Sequence, residues 1–343
     1  MATCTGAPRW CVWASRTSSA SSGGAVDSRS CRPLAVLVGP TAAGKTAVAL
    51  ELADLLARDG PPVEILSVDS RQVFRGMDIG TAKPTPAENA RVRHHLVDLV
   101  DPGESLSAGA FRRHFDAAEA GLATRGVRPL AVGGSGLYLK AVTHGLFQGP
   151  AARADLRAAW EPRPVEELHA ELRSVDPETA ARLAPRDRQR IVRALEVFHT
   201  EGRPLSALHR ERPGSGRPVA VVGLERPREE LYARIDRRVE AMVAAGLEEE
   251  ARRLWERRLP PDTGAMKTVG YREWFPRFEG RRSGAEAVEE IQRNTRRYAK
   301  RQLTWFRALP GVAWVPAGAG PGEAASGARK ALQKLLDPMG TTP

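Results

Sequence analysis

Beyond residue 31 the chain contains no cysteine: Cys4, Cys11 and Cys31 are the only three, all at its start. This excludes a disulfide framework and a cysteine-based zinc site from the body of the protein and fits a reducing, cytoplasmic setting. Nor does any run approach the roughly 18–20 apolar residues that a membrane span requires, so no membrane partner is expected. The apolar cluster Trp10 to Ala14 is too short for a secretory core. Residues 1–31 are rich in Ser, Gly and Ala, as in SRTSSASSGG (15–24). They read as a disordered extension, with an organellar transit peptide as the alternative. Internal repeats are also absent.

What remains is 343 residues, 42% hydrophobic and 27% charged, enough for one large domain or a domain with an insertion. The net charge of +11 favours polyanionic partners, although the arginine surplus of a GC-rich genome would produce the same excess. LAVLV (34–38), VEILSVD (63–69) and PLAVGG (129–134) are short apolar runs. They alternate with helical segments, one to about Arg58 and one at about 108–124. This alternation predicts an α/β fold: a P-loop NTPase-like parallel sheet flanked by helices. Residues 150–195 carry helical patterns such as VEELHAELRSV (165–175) and no clear strand, and read as a helical insertion domain. VAVVGLE (219–225) resumes strand character. A charged helical stretch (228–258), a helix at about 284–308 and VAWV (312–315) follow. The core is therefore expected in 32–149 and 196–316, with a Gly/Ala-rich tail at 317–343.

GPTAAGKT fits G-x-x-x-x-G-K-[ST] between a strand and a helix, the context that this phosphate-binding motif requires. Gly39, Pro40, Thr41, Ala42, Ala43, Gly44, Lys45 and Thr46 form the loop. Its N–H groups and the helix N-terminus face an anion; Lys45 adds charge, and the Thr46 hydroxyl suits Mg²⁺. The motif specifies a phosphate or nucleotide, ATP included, without naming the compound. Ordinary P-loop NTPases hold Mg²⁺ with an Asp at a strand end. Here 129–134 runs into Gly133-Gly134-Ser135, and the strand-end acid is Asp69 instead.

Five segments together carry a resemblance. DSRQVFRGMDIGTAKP (69–84), GGSGLY (133–138), DRQRIVRALEVF (187–198), TVGYREW (268–274) and TRRYAKRQLTWFR (295–307) resemble, in order, the signatures of the bacterial tRNA dimethylallyltransferases. That family has a P-loop fold with a helical insertion. The resemblance implies transfer of a dimethylallyl group from dimethylallyl diphosphate to N6 of adenine 37 in the tRNA anticodon stem-loop, with Mg²⁺ as cofactor. A monomer is the default.

The resemblance also assigns roles. Asp69 accepts the proton of the exocyclic amine, a poor nucleophile that needs such an acceptor; the alternative is an Asp that caps its turn. Ser135, where the family usually has Thr, lies near the diphosphate and the reacting carbon. Arg234 is expected at the diphosphate, with Arg238 one turn on. Lys83 is placed near the substrates without a role. Asp69, Ser70, Arg71, Gln72 and Ser135 are expected to meet the target base and its neighbours. Arg157, Gln189, Arg190, Ile191, Val192 and Arg193 are expected on the stem-loop, as are Lys267, Gly270 and Tyr271. His94 and His95 read as loop histidines.

Residues 293–307 hold six basic side chains and no acid. On a helix, Arg293, Arg297, Lys300 and Thr304 share one side, and Ala299, Leu303 and Phe306 another. This is a helix docked by its apolar stripe, offering a basic stripe to a phosphate backbone. Ala299, Lys300, Arg301, Gln302, Thr304 and Trp305 are the tRNA contacts expected from it. Three rivals stand beside this reading: an adenylate isopentenyltransferase using a free nucleotide, a small-molecule kinase using ATP, and a non-catalytic RNA-binding protein.

Overall fold

A computed structural model describes residues 33–145, 149–150, 153–211, 217–318 and 320–337. The expected extension at 1–31 lies outside them. The chain divides into two compact units, residues 1–143 with 217–343, and residues 144–216.

The first unit is built on six parallel strands: β1 (Leu34–Val38), β2 (Val63–Val68), β3 (His94–His95), β4 (Arg128–Gly133), β5 (Val219–Glu225) and β6 (Val312–Pro316). Their order is β3-β2-β4-β1-β5-β6. Apart from the two-residue edge strand β3, the strands are largely apolar because both faces of the sheet are covered. In β1, Val36 and Val38 join the core on one face with Phe111, Phe115, Trp274, Ile291 and Phe306. Ala35 and Leu37 point the other way, onto Leu52, Leu56 and Leu332.

The strand and helix pattern read from the sequence holds in outline, with three corrections. First, His94 and His95 are not loop residues. They form an edge strand on β2, with Ile65 opposite His94 and Leu66 opposite His95; two residues are too few to show a period. Second, the stretch 228–258 is two helices, Arg228–Ala244 and Leu247–Glu256, broken at Gly246, whose φ of +99° favours glycine. Third, the Gly/Ala-rich tail is largely a helix, Pro321–Leu336. Its Ala324, Ala325, Ala328 and Leu332 are buried in the same core as helix Lys45–Ala57. Alanine is both the best helix former and small enough for close approach.

Among its described residues the second unit is all-helical: Ala154–Trp160, Val165–Val175, Pro177–Arg182, Arg188–Glu201 and Leu205–Arg210. It has a core of its own around Trp160, Leu168, Leu172, Ile191 and Leu195. The unit is wider than 150–195, because helix Arg188–Glu201 continues past 195. The buried Asp176 also accepts the Ser206 N–H (2.9 Å), which draws the following helix in.

Candidate active site

The phosphate loop runs from the end of β1 to helix Lys45–Ala57, with Gly44 in the left-handed region at φ +94°. Lys45 Nζ donates to the carbonyls of Gly39 (2.9 Å) and Pro40 (2.8 Å). Burial pushes its ammonium down to about 8; Asp69 acts in the opposite direction, and Arg238 reinforces the lowering. Helix Arg228–Ala244 brings further cations. Arg234 Nε donates to the Ala42 carbonyl (2.9 Å), and Arg238 lines the same cleft. Arg226, just before this helix, donates to the Ala43 carbonyl (3.0 Å) and pairs with Glu230. The expectation for Arg234 thus has a location at the loop, and Arg226 is an addition that no sequence pattern marked.

Sheet pairing brings the other groups together. β2 and β4 are neighbours in register, with Val68 opposite Gly133, so Asp69 and Ser135 emerge side by side. A methyl group on Gly133 would overlap the Val68 carbonyl, which is why the strands can close here only over glycine. Ser135 Oγ accepts the Ser70 N–H (2.8 Å) and donates to Ser70 Oγ (3.1 Å). Asp69 Oδ1 accepts the N–H of Arg71 (2.7 Å) and, more weakly, of Gln72 (3.4 Å). Turn capping and a chemical role are therefore compatible: Oδ1 caps the turn, and Oδ2 makes no hydrogen bond among the described residues.

Asp69 and the loop face one cleft of about 650 Å³. Its polar wall includes Lys45, Thr46, Arg71, Lys267, Arg301 and Tyr298; its apolar wall includes Ile235, Val239, Met242 and Ile291. Cations around a phosphate loop, an apolar recess and a carboxylate at the same opening suit the departure of a diphosphate from a hydrocarbon as a proton is removed nearby.

The sequence model of the IPP transferase family matches residues 72–309. The chain belongs to this family. Among similar proteins, the tRNA dimethylallyltransferase of Roseiflexus castenholzii is 50% identical, over 84% of this chain and 94% of its own length. That of Syntrophobacter fumaroxidans is 47% identical, over 83% and 84%. The crystal structure of the tRNA isopentenylpyrophosphate transferase from Bacillus halodurans superposes with a TM-score of 0.64 at 37% identity, covering 88% of this chain and 97% of that one. These findings establish the α/β P-loop-like architecture as the family's.

Within that family frame, the expected RNA residues separate into two groups. Arg293, Arg297, Lys300, Arg301, Thr304 and Arg307 of helix Gly284–Arg307 are exposed, and Trp305 is half-buried. Arg71, Lys267, Gly270 and Arg301 line the cleft. In the helical unit Gln189 and Arg190 are exposed and Val192 is half-buried.

Ala299, Ile191 and Tyr271 need correction as side-chain contacts, and the remaining residues have partners within the protein. Ala299 is fully buried against Ala42, Leu231 and Ile235, and Ile191 lies in the helical unit's core. Tyr271 is fully buried, its hydroxyl bonded to Glu250 (2.5 Å). Gln302, 8% exposed, accepts the Thr41 N–H (2.9 Å) and donates to the Gly134 carbonyl (2.9 Å), so it tethers the phosphate loop. The Gln72 amide is committed too: it accepts from Ser67 Oγ (2.8 Å) and donates to the carbonyls of Ala82 (2.9 Å) and Thr81 (3.3 Å). Lys83 is fixed between Asp78 (2.6 Å) and Asp98 (2.5 Å), with its side chain 7% exposed. Arg157 and Arg193 both pair with the buried Glu196, at 2.9 and 2.5 Å. Buried polar groups must find partners, but Arg157 and Arg193 stay partly exposed and Gln72, Lys83 and Gln302 line the cleft, so these bonds leave them within a substrate's reach.

Tyr298 is another residue that sequence reasoning left unassigned. It reaches the cleft from the basic helix, and burial pushes its hydroxyl up to about 12. Its spacing, one turn before Arg301, was the available signal.

Proposed function

We propose that the protein transfers a dimethylallyl group from dimethylallyl diphosphate to N6 of adenine 37 in the anticodon loop of tRNA, releasing diphosphate. The observation that carries this reading is a carboxylate and a cation-rimmed phosphate loop facing the same cleft. The adenine N6 attacks the allylic carbon; the C–N bond forms as the C–O bond to diphosphate breaks, and the N6 proton passes to Asp69 Oδ2. Lys45, Arg234, Arg238 and the loop N–H groups offset the charge that develops on the leaving diphosphate. Ser135, held against Ser70, is placed to hydrogen-bond near the reacting centre.

The donor set fits Mg²⁺. Thr46 supplies a hydroxyl and Asp69 a carboxylate oxygen at a recess of about 50 Å³ beside the loop. No cluster of three or more His, Cys, Asp or Glu side chains forms a metal cage among the described residues. Mg²⁺ beside a phosphate loop is generally held mainly by phosphate oxygens and water. When bound, it would neutralise diphosphate charge.

A target base must leave its stack to reach such a site. The exposed basic side chains of helix Gly284–Arg307 favour a structured RNA over a free nucleotide, since a mononucleotide needs no extended positive surface. β4 ends in Gly133, without the strand-end acid of an ATP-using kinase. A cytoplasmic monomer completes the proposal. The test offers labelled dimethylallyl diphosphate with either tRNA or AMP: label in tRNA supports the reading, and label in AMP overturns it.

A further inference from the structure

Helix Leu247–Glu256 lies outside every motif singled out in the sequence, yet it carries one of the most buried carboxylates in the first unit. Glu250 is 3% exposed. Three consecutive backbone N–H groups converge on it: Asp78 on Oε2 (2.9 Å), Ile79 on both oxygens (3.0 Å each) and Gly80 on Oε1 (3.1 Å). The Tyr271 hydroxyl adds a fourth donor, to Oε1 (2.5 Å). Successive N–H groups pointing into one concavity make an anion nest, and here the protein fills it with its own carboxylate. Tyr271 lies so close over Gly80 that a Cβ there would come within 2.6 Å of its ring Cζ.

The clamp joins two walls of the cleft, because Gly80–Lys83 and Lys267–Gly270 both line it. The first wall leads on to the proton acceptor. Thr81 and Ala82 offer the carbonyls that hold the Gln72 amide, and the Gln72 N–H reaches Asp69 Oδ1. No hydrogen bond or ion pair among the described residues links Glu250 to the phosphate loop or to Arg226, Arg234 and Arg238.

We propose that Glu250 is a positioning residue for the acceptor half of the reaction: its carboxylate holds segment 78–82, and through Gln72 the turn that presents Asp69, without setting donor binding. This rests on the prenyl-transfer reading above. The carboxylate is needed rather than any polar group, because every donor it meets is an N–H or O–H. The amide of Gln would turn an NH₂ toward one set of them.

The experiment compares Glu250→Gln and Tyr271→Phe with the unaltered protein, using tRNA and dimethylallyl diphosphate, with rates normalised to active sites titrated by a single-turnover burst. Glu250→Gln is expected to lower kcat per active site at least tenfold while the KM for dimethylallyl diphosphate stays within twofold. Tyr271→Phe, which removes one donor of four, is expected to lower kcat by less and in the same selective manner. An unchanged kcat per active site in Glu250→Gln would overturn the proposal and leave Glu250 a purely stabilising residue; so would a parallel loss of donor KM. If Glu250→Gln yields no folded protein, the kcat–KM split in Tyr271→Phe decides. Failure of the unaltered protein to label tRNA would instead overturn the underlying reading.

Discussion

Asp69→Asn separates chemistry from architecture at one atom. The amide oxygen can still accept the Arg71 N–H now held at 2.7 Å, so the turn keeps its cap. What disappears is the basic Oδ2 and one negative charge. General base catalysis by a positioned carboxylate contributes about 10²–10⁴-fold, so kcat is expected to fall by that factor with tRNA affinity nearly unchanged. A second effect follows from Lys45, whose ammonium is held down to about 8 by burial and raised by Asp69. Below that pH the lysine is charged before the donor arrives, and affinity for dimethylallyl diphosphate is flat. Above it the free protein must take up a proton to bind an anion, and affinity weakens by up to about tenfold per pH unit. Without the Asp69 charge the same edge must move to lower pH. The assay is single-turnover transfer, with donor KM measured on both sides of pH 8. An undiminished rate, or an edge that moves upward or stays in place, would refute the assignment of Asp69 and the influence of its charge on Lys45.

Three further expectations concern the frame around the site. Gly80→Ala forces a methyl group into the buried Tyr271 ring and should cost about 1–3 kcal/mol, read as a lower melting temperature; an unchanged melt would mean that the ring yields freely. Arg297→Ala with Lys300→Ala should weaken tRNA binding and lower the slope of log affinity on log salt by about 1 for each phosphate that no longer meets a cation. An unchanged slope would remove this helix from the interface. Glu196→Ala leaves Arg157, Arg193 and the Arg153 N–H without their shared acceptor. It should destabilise the helical unit by about 1–3 kcal/mol, seen as faster proteolysis within 144–216; unchanged proteolysis would contradict that role.

Much of the sheet was legible because buried parallel strands are continuous apolar runs, as in LAVLV and VAVVGLE. The phosphate loop was legible because its spacing is set by local backbone mechanics. β3 escaped notice because two residues carry no period, and helix Pro321–Leu336 because small residues resemble linker composition until something packs on them. Within the site, Asp69 and Ser135 were identified through the resemblance, and their adjacency follows from the β2–β4 register. The roles of Gln302, Gln72, Tyr271 and Lys83 were not legible. A polar residue within a motif looks the same whether it meets a substrate or holds a loop, and only the positions of its partners decide. Arg226 and Glu250 stood out in no motif, since the backbone groups they hold are far away in sequence.

The central claim is that the phosphate loop holds a leaving group for attack by a tRNA base. The most direct measurement incubates the protein with labelled dimethylallyl diphosphate and two tRNAs that differ only in carrying adenine or guanine at position 37, then digests the RNA to nucleosides. Labelled N6-(dimethylallyl)adenosine is expected from the adenine form alone, with one diphosphate released per label. Equal labelling of both RNAs, or turnover that consumes ATP and leaves the RNA unlabelled, would contradict it.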